Sequence, residues 1–410
     1  MRSIIAHTIN TSIGEAGTGP AYHIRRDRRR GLSAQREREQ PLRMGESVGT
    51  RFCYHRGPHQ YNQLESPNML KSVPLGPSGL RVSELCLGTM NFGQPGRGHQ
   101  GDWTLSIDEA RPIFQAAIEA GLNYFDCANV YGLGSCEEVV GELLRELLPR
   151  DQYVVTTKVA MPMGQGTNQV GLSRKHIMES VDKSLARMGL DYVDQLVIHR
   201  HPHGIPGHVA TPIEESLEAL NDVIKAGKVL YLGASSMFAW QFAELQMTAL
   251  QHGFTRFISM QNHYNLIYRE EEREMNPYCV STDVSLTPWS PLARGILAGA
   301  YQGGFEGGST ARSQGRDRIR TEGLYRGERD FDIAGRVVEI AGKHHCKPAQ
   351  ISLAWLLSKP GVAAPVVGVS KLNQLEDLIG ATAIELTEED IGYLEELYQP
   401  LENLLSIGAS

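Results

Sequence analysis

No apolar run in this 410-residue chain approaches the roughly 20 residues that a membrane-spanning helix needs. The sequence therefore predicts no membrane span. Cysteine is also scarce: six cysteines are scattered along the chain, they form no C-x-x-C pair, and no secretory signal peptide precedes them. This pattern argues against a disulfide framework, and we expect a reducing compartment, the cytoplasm.

Positive charge is scarce after the first 70 residues. The chain has a net charge of -7, whereas residues 1–70 hold eleven Arg against six acidic residues, or +5, which leaves -12 for the rest. This balance does not favour nucleic acid as a partner. Residues 1–68 show no apolar periodicity, so we expect an Arg-rich, disordered extension. A targeting peptide is the alternative, although Asp27, Glu37 and Glu39 interrupt the basic run, and Met44 or Met69 could be the true start.

The histidines and cysteines do not predict a metal site. His199, His201 and His203 alternate past a strand end into a Pro-containing loop, and no cysteine or carboxylate set completes a zinc site. Cys127 and Cys136 flank a tyrosine and could suggest redox or nucleophilic chemistry. A scattered cysteine is usually a small packing residue, and we expect packing roles for both.

From residue 69 onward, short apolar runs alternate with segments of helical periodicity. The runs predict strands at 85–87, 122–125, 153–157, 193–198, 229–234, 257–261, 284–289 and 364–369. Helices are predicted near 106–120, 136–148, 174–188, 212–226, 239–251, 269–276 and 332–358. Eight alternating units favour a (β/α)8 TIM barrel over an open doubly wound sheet.

Three further features surround the predicted barrel, which spans residues 69–410. A turn at Pro77 to Gly79 predicts an N-terminal hairpin, and Thr387 predicts the cap of an extra C-terminal helix. Residues 301–328 form an insertion after the seventh strand, which we expect to be a mobile loop over the site. Its arginines could meet a phosphate or form a solvated charged loop: Arg312, Arg316 and Arg318.

Polar side chains stand where three consecutive predicted strands end. Asp126, Lys158 and His199 each follow or end an apolar run, and Tyr131 lies five residues after Asp126. In a parallel barrel these strand ends meet at one face, where active sites are built. An ion pair of Asp126 with Lys158 and a packing role for Tyr131 would be the purely structural alternative.

These four side chains suit the reduction of a carbonyl group. A tyrosine is a poor acid at neutral pH, but a nearby lysine ammonium favours the phenolate and should bring its pKa closer to the working range. Asp126 would keep Lys158 charged, and a neutral His199 could orient the carbonyl and stabilise the oxyanion.

About four-fifths of the chain, from Leu70 to Pro400, resembles the aldo-keto reductase superfamily, a barrel family of NAD(P)H-dependent carbonyl reductases. The resemblance rests on five motifs: Leu75-Gly76-Pro77-Ser78-Gly79-Leu80, Phe125-Asp126 to Tyr131-Gly132, Thr156-Thr157-Lys158-Val159, Val197-Ile198-His199-Arg200 and Pro288-Trp289-Ser290-Pro291-Leu292. It is strongest to fungal members similar to aryl-alcohol dehydrogenase and versiconal hemiacetal acetate reductase, through 226–236 and Glu270 to Pro277.

The resemblance implies a catalytic tetrad, with Tyr131 as the acid beside Asp126, Lys158 and His199. It also implies NADP(H) as cofactor and a small carbonyl compound as substrate, with the chain a monomer or weak homo-oligomer. The implied cofactor contacts are Ser235, Gln261, Trp289, Ser290, Leu292, Ser370, Lys371, Gln374 and Asp377. No Rossmann fingerprint or P-loop is present, as expected if a barrel binds the dinucleotide in an extended form.

The chain departs from the family pattern at three positions. Cys136 follows Ser135 in the Gly-x-Ser-Glu motif after the tyrosine, Ser236 stands where many relatives carry Asn, and Leu378 where an Asn often contacts adenine. None of these touches the tetrad. Two alternatives remain open: an NADP-binding regulatory subunit like those of potassium channels, and the same chemistry run as an alcohol dehydrogenase.

Overall fold

The computed structural model describes residues 70–98, 103–205, 210–301, 304–308, 317–325 and 327–400. The expected disorder of residues 1–68 lies outside these ranges, as do Arg312 and Arg316. None of the described helices is long and apolar enough to cross a bilayer.

Eight parallel strands form one sheet that closes into the predicted barrel. They are β3 (Cys86–Gly88), β4 (Tyr124–Asp126), β5 (Val154–Val159), β6 (Val193–Ile198), β7 (Val229–Ser235), β8 (Phe257–Gln261), β9 (Ser285–Leu286) and β10 (Val366–Val367). The strands pair in chain order, and β10 pairs with β3. A bridge between Trp289 and Val366, with Val366 N donating to Pro288 O at 2.8 Å, joins the last two strands.

Helices surround the sheet. Those in the described ranges are α1 (Ile107–Glu119), α2 (Ser135–Leu147), α3 (Arg174–Met188), α4 (Ile213–Lys225), α5 (Ala239–His252), α6 (Met275–Ser281), α7 (Asp317–Leu324), α8 (Glu328–Lys343), α9 (Pro348–Leu357), α10 (Leu372–Gly380) and α11 (Glu388–Glu395). Local sequence sets several of their ends. Ser173, for example, accepts from His176 N to begin α3, and Gly189, with φ of 65°, ends it.

An N-terminal hairpin closes the amino end of the barrel, as predicted. Its strands β1 (Ser72–Pro74) and β2 (Arg81–Ser83) are antiparallel, and Leu75 and Val82 pack in one apolar cluster with Ile258. The turn lies against β8 so closely that a Cβ on Gly76 would stand 2.0 Å from the Ile258 carbonyl oxygen. Glycine also suits the positive φ of 59° there.

The predicted C-terminal helix is confirmed as α11. Thr387 accepts from Asp390 N at 3.1 Å, and the buried Leu394 packs with Trp355 of α9. Glu395 fixes the end of the helix, since it accepts from Trp355 Nε1 at 2.8 Å and from Arg269 at 2.9 Å. The helix therefore covers the exterior of the barrel.

The predicted helix at 332–358 was wrong in its continuity. The structure has two helices, α8 and α9, because His345 takes a left-handed φ of 52° and Pro348 begins the second helix. Proline lacks the N–H that a continuous helix would need, and the residue before it disfavours helical backbone. The seventh and eighth strands are also shorter than predicted, two residues each.

The described part of the 301–328 insertion contains regular structure. It includes a 3-10 turn at Phe305–Gly307 and helix α7, so the expectation of a plain loop was incomplete. Arg318, one of the three arginines considered for phosphate binding, pairs instead with Glu306 and Glu322, at 2.5 Å each.

A buried ion pair holds α2 and α3 against the barrel beside strand β5. Glu137 is fully buried, pairs with Arg187 of α3 at 2.5 Å, and accepts from Thr157 Oγ1 of β5 at 2.5 Å. One carboxylate thus joins two helices to the strand that carries Lys158. Its neighbour Glu138 pairs with Arg97 on the surface.

We predict that Glu137→Ala lowers the free energy of unfolding by about 3 kcal/mol, since it leaves Arg187 largely buried without its anion. Glu138→Ala, one residue away, should cost less than about 1 kcal/mol because its ion pair is solvated. Urea denaturation of both variants measures the difference. Equal losses of stability in the two variants would show that the buried ion pair of Glu137 contributes no more than the solvated pair of Glu138.

Candidate active site

The side chains predicted from three strand ends do meet at one end of the barrel. Asp126 is the last residue of β4, Lys158 is the fifth residue of β5, and His199 directly follows β6. The register pairs Asp126 with Thr156 and Lys158 with Val197, so Lys158 stands two residues beyond the partner of Asp126, and its long side chain reaches the carboxylate. The fold therefore assembles the predicted group.

The Asp126 carboxylate is buried and fully engaged. One oxygen accepts from Thr156 Oγ1 and from Gln261 Nε2, both at 2.9 Å, and the other lies 2.5 Å from Lys158 Nζ. Sequence reasoning did not assign Thr156 to the site and gave Gln261 only a cofactor role. Thr156 precedes Lys158 by two residues on β5, so both side chains lie on the same face of the strand. This spacing was the signal available in the sequence.

Lys158 is the centre of the cluster. It has no exposed surface, and its ammonium donates to Asp126, to the Cys127 carbonyl oxygen at 2.8 Å and to Tyr131 Oη at 3.4 Å. Burial alone would lower the pKa of Lys158, but the Asp126 carboxylate and the Tyr131 phenol together outweigh it and raise that pKa above the usual lysine value. The lysine is therefore a fixed cation.

Tyr131 begins a 3-10 turn, Tyr131–Gly134, that leads from β4 into α2. Burial raises the pKa of Tyr131 to about 12, and Lys158 acts against this rise without cancelling it. Lys158 thus lowers the pKa in the expected direction, but burial has the larger effect and the net value lies above that of an ordinary tyrosine. The phenol therefore stays protonated.

His199 stands beside the phenol. Its ring lies edge-on to the Tyr131 ring, with 6.0 Å between centroids. Burial, with Lys158 and Arg200 nearby, holds the pKa of His199 well below its usual range, so the imidazole is neutral. Its Nδ1 is buried and finds no hydrogen-bond partner among the described residues.

Two further polar residues in this region were missed by the sequence reasoning. Arg200 is half-buried and donates to the His199 carbonyl oxygen at 2.5 Å. Burial lowers the pKa of Arg200 while Tyr131 raises it. Asn129, between Asp126 and Tyr131, is 1% exposed, and both its amide atoms lack a partner among the described residues. The burial and the hydrogen bonding of these two side chains depend on tertiary packing, which the sequence does not show.

The residues expected to contact a nicotinamide amide also cluster near Asp126. Ser235 ends β7, is paired in register with Gln261 of β8, and has its hydroxyl 3.3 Å from that of Ser236. Ser236 takes a left-handed φ of 49° and accepts from Trp289 Nε1 at 2.9 Å. The serine that replaces the family asparagine thus holds the indole.

The residues expected near the adenosine phosphate lie around the start of α10. Ser370, Lys371 and Gln374 are exposed, and Ser370 N donates to Gln374 Oε1 at 2.8 Å. Lys371 forms no ion pair within the described residues, whereas Asp377 pairs with Lys347 at 3.6 Å. Leu378 is buried and packs in the core.

The remaining expected contacts follow the seventh strand. Ser290 has a left-handed φ of 53°, and its carbonyl oxygen accepts from Asn265 Nδ2 at 2.9 Å. Leu292 packs against the main core as a partly buried side chain. The backbone between them is thus shaped by local strain and by packing, as is frequent at binding sites.

Cys127 and Cys136 are both fully buried within the main core, with their sulfurs 3.3 Å apart. Burial raises the pKa of Cys127 well above its usual value, so this thiol is not activated as a nucleophile. In the described part of the chain, no group of three His, Cys, Asp or Glu side chains is placed to bind a metal ion.

Comparison with known proteins identifies the family of this chain. The family model described as "Aldo/keto reductase family" matches residues 84–399, most of the chain. The chain belongs to the aldo/keto reductase family. The residues that form the cluster, from Asp126 to His199, all lie inside this match.

Three relatives illustrate the family members that this reductase resembles. A protein of Schizosaccharomyces pombe provisionally named aryl-alcohol dehydrogenase is 43% identical, over 80% of this chain and 95% of its own. The versiconal hemiacetal acetate reductase of Aspergillus parasiticus is 42% identical, over 80% and 96%. The aldo-keto reductase dtxS3 of Metarhizium robertsii is 40% identical, over 84% and 95%.

Membership of this family makes the chain an oxidoreductase that interconverts carbonyl and alcohol groups of small molecules with a nicotinamide cofactor. The residues present fit such a cofactor. Trp289 is half-buried, its indole N–H is held by the Ser236 hydroxyl, and Lys371 has no ion-pair partner within the described residues and could meet a phosphate.

We predict that Lys158→Met lowers the free energy of unfolding by about 3–5 kcal/mol, because Asp126 then remains buried without its cation. The double variant Asp126→Asn/Lys158→Met should recover much of this loss, since no uncompensated charge is left. Thermal or urea denaturation of the three proteins measures both effects. A double variant as unstable as Lys158→Met would contradict the buried ion pair as the cause.

Proposed function

We propose that this aldo/keto reductase uses NADPH to reduce an aldehyde or ketone to the alcohol, with Tyr131 as the general acid. The observation that carries the proposal is the hydrogen bond from Lys158 Nζ to Tyr131 Oη at 3.4 Å, beside the edge-on His199 ring. A protonated phenol, a fixed cation and a neutral imidazole thereby surround one small region.

Each of these residues has a distinct part in the reduction. The bound nicotinamide would supply hydride to the carbonyl carbon. Tyr131 donates its proton to the oxygen on which negative charge develops, and this is favourable because a phenol is more acidic than an alcohol, even with a pKa of about 12. As the phenol gives up its proton, the Lys158 ammonium stabilises the phenolate.

His199 and Asp126 support the transfer without losing or gaining a proton. A neutral His199 can donate one N–H to the carbonyl oxygen, which orients the substrate and stabilises the developing charge. Asp126 keeps Lys158 charged and in place, and it is itself held by Thr156 and Gln261. Burial of the cluster excludes water that would weaken these interactions.

The preference for NADPH rests on Lys371. Its ammonium is exposed and unpaired within the described residues, and it stands at the N-terminus of α10 beside the Ser370 hydroxyl. A 2′-phosphate would gain a charge-assisted hydrogen bond there and a favourable helix dipole. The ribose hydroxyl of NADH would gain neither.

The substrate class follows from the relatives. Their names include aryl-alcohol dehydrogenase and versiconal hemiacetal acetate reductase, so we propose an aryl aldehyde or a secondary-metabolite intermediate of fungal type. The direction of the reaction in the cell depends on cofactor supply. A panel of carbonyl compounds, with NADPH consumption followed by absorbance, would identify the best substrate.

We expect Tyr131→Phe to lower turnover by roughly 10² to 10⁴ fold, because the ring remains and only the transferable proton is lost. NADPH binding, followed by fluorescence quenching, should stay almost unchanged. Tyr124→Phe is the matched control, since its buried hydroxyl donates to Gln195 and to no member of the cluster. Near-wild-type aldehyde reduction by Tyr131→Phe would show that Tyr131 is not the acid, whereas a wild-type protein that bound NADPH but reduced no aldehyde would favour a cofactor-binding subunit.

Lys371→Ala should weaken NADPH binding by about 1.5–3 kcal/mol and leave NADH binding little changed, because only NADPH carries the 2′-phosphate. Lys371→Arg keeps the charge and should retain most of the preference. Titration of each protein with both cofactors gives the dissociation constants. Equal constants for NADPH and NADH in the wild-type protein would refute the preference.

A further inference from the structure

Trp289 stands at one end of a stack of three rings. His263 lies parallel to Trp289, with 4.1 Å between centroids and 10° between planes, and Tyr268 lies on the other face of His263 at 4.2 Å. Trp289 is half-buried, while His263 is 6% exposed. One face of the indole is therefore covered by the imidazole.

Hydrogen bonds fix the imidazole from its edge. His263 Nε2 lies 2.7 Å from Tyr325 Oη and 3.3 Å from Asn265 Nδ2. Asn265 Oδ1 accepts from Ile267 N and its Nδ2 donates to Ser290 O, which fixes the orientation of this amide. The Asn265 amide has two hydrogens, and after Ser290 O takes one, the other is shared between Tyr325 Oη and His263 Nε2. The short bond of the imidazole edge is therefore the one between Nε2 and the Tyr325 phenol.

The neutral state of the ring follows from burial. Burial, helped by Arg294, lowers the pKa of His263 to about 3. The imidazole therefore stays neutral at every pH at which the protein would be assayed. Burial also raises the pKa of Tyr325, so its phenol stays protonated.

Tyr325 connects this stack to a distant part of the chain. It follows α7 in the insertion after the seventh strand, yet it is only 2% exposed. In addition to its contact with His263, its oxygen accepts from Asn265 Nδ2 at 3.2 Å. The described end of the insertion, residues 317–325, is thus attached to the residues that support Trp289.

We infer that His263 and Tyr325 are positioning residues: they hold the Trp289 indole as a rigid platform and tether the insertion to it. This rests on the proposed function for one point only, that the free face of Trp289 receives the nicotinamide ring. Loss of the Tyr325 hydroxyl then frees both the imidazole and the insertion. The cofactor binds more weakly and leaves faster.

The first test needs no cofactor. Trp289 fluorescence is obtained by subtracting the spectrum of Trp289→Phe from that of each protein, since the chain has four tryptophans. In Tyr325→Phe, acrylamide should quench Trp289 more strongly than in the wild-type protein. Unchanged quenching would show that Tyr325 does not hold the platform.

The second test measures NADPH binding and release. Tyr325→Phe should raise the NADPH dissociation constant roughly three- to tenfold, the effect of one lost buried hydrogen bond. Stopped-flow displacement should show the increase in the dissociation rate. Tyr264→Phe is the matched control. Tyr264 directly follows His263 in the chain, is as buried as Tyr325, and loses a hydroxyl that donates to Glu272 at 2.6 Å. This control should lower the melting temperature without changing the dissociation constant.

His263→Phe gives a second variant, which keeps a ring in the stack and leaves the insertion unaltered. Because both variants remove the same hydrogen bond, the losses of NADPH affinity in the double variant with Tyr325→Phe should be clearly less than additive. Additive losses would contradict the inference, as would wild-type dissociation constants in both single variants. A wild-type protein that fails to bind NADPH would refute the proposed function instead, and the quenching test would still decide the positioning role.

Discussion

The structure depends on one buried ion pair. Asp126 and Lys158 lie 2.5 Å apart with almost no exposed surface, and two charges in such a place are tolerable only if each is fully hydrogen-bonded. Thr156 and Gln261 satisfy the carboxylate, while the Cys127 carbonyl oxygen and Tyr131 complete the lysine. A single electrostatic requirement therefore constrains four strand residues: Asp126, Thr156, Lys158 and Gln261.

The same constraint explains the protonation state of Tyr131, the proposed proton donor. Burial that excludes water from the site also raises the pKa of Tyr131, and the lysine only moderates this rise. A cation beside a phenol therefore need not give a phenol of low pKa. In the proposed reduction, the effect of the cation lies in the stabilisation of the phenolate after proton transfer, when the charge is present.

Around this pair, parts of the chain that are remote in sequence support the proposed cofactor site. Ser236 after the fifth barrel strand, His263 after the sixth and Tyr325 in the insertion all act on Trp289 directly or through one neighbour. The left-handed backbone at Ser236 and Ser290 lies on both sides of this arrangement. Strained backbone of this kind persists where surrounding contacts define it fully.

The sequence by itself determined the barrel, because apolar runs and helical periodicity are local signals, and the four polar residues could be grouped because parallel strand ends meet at one face. The helical periodicity at 332–358 predicted one continuous helix and missed the break before Pro348, because the long pattern was given more weight than the single proline. Tertiary structure alone decided the partners of Asp126, the net pKa of Tyr131 and the stack beneath Trp289. These depend on burial and on contacts between residues up to 135 positions apart, which no local pattern records.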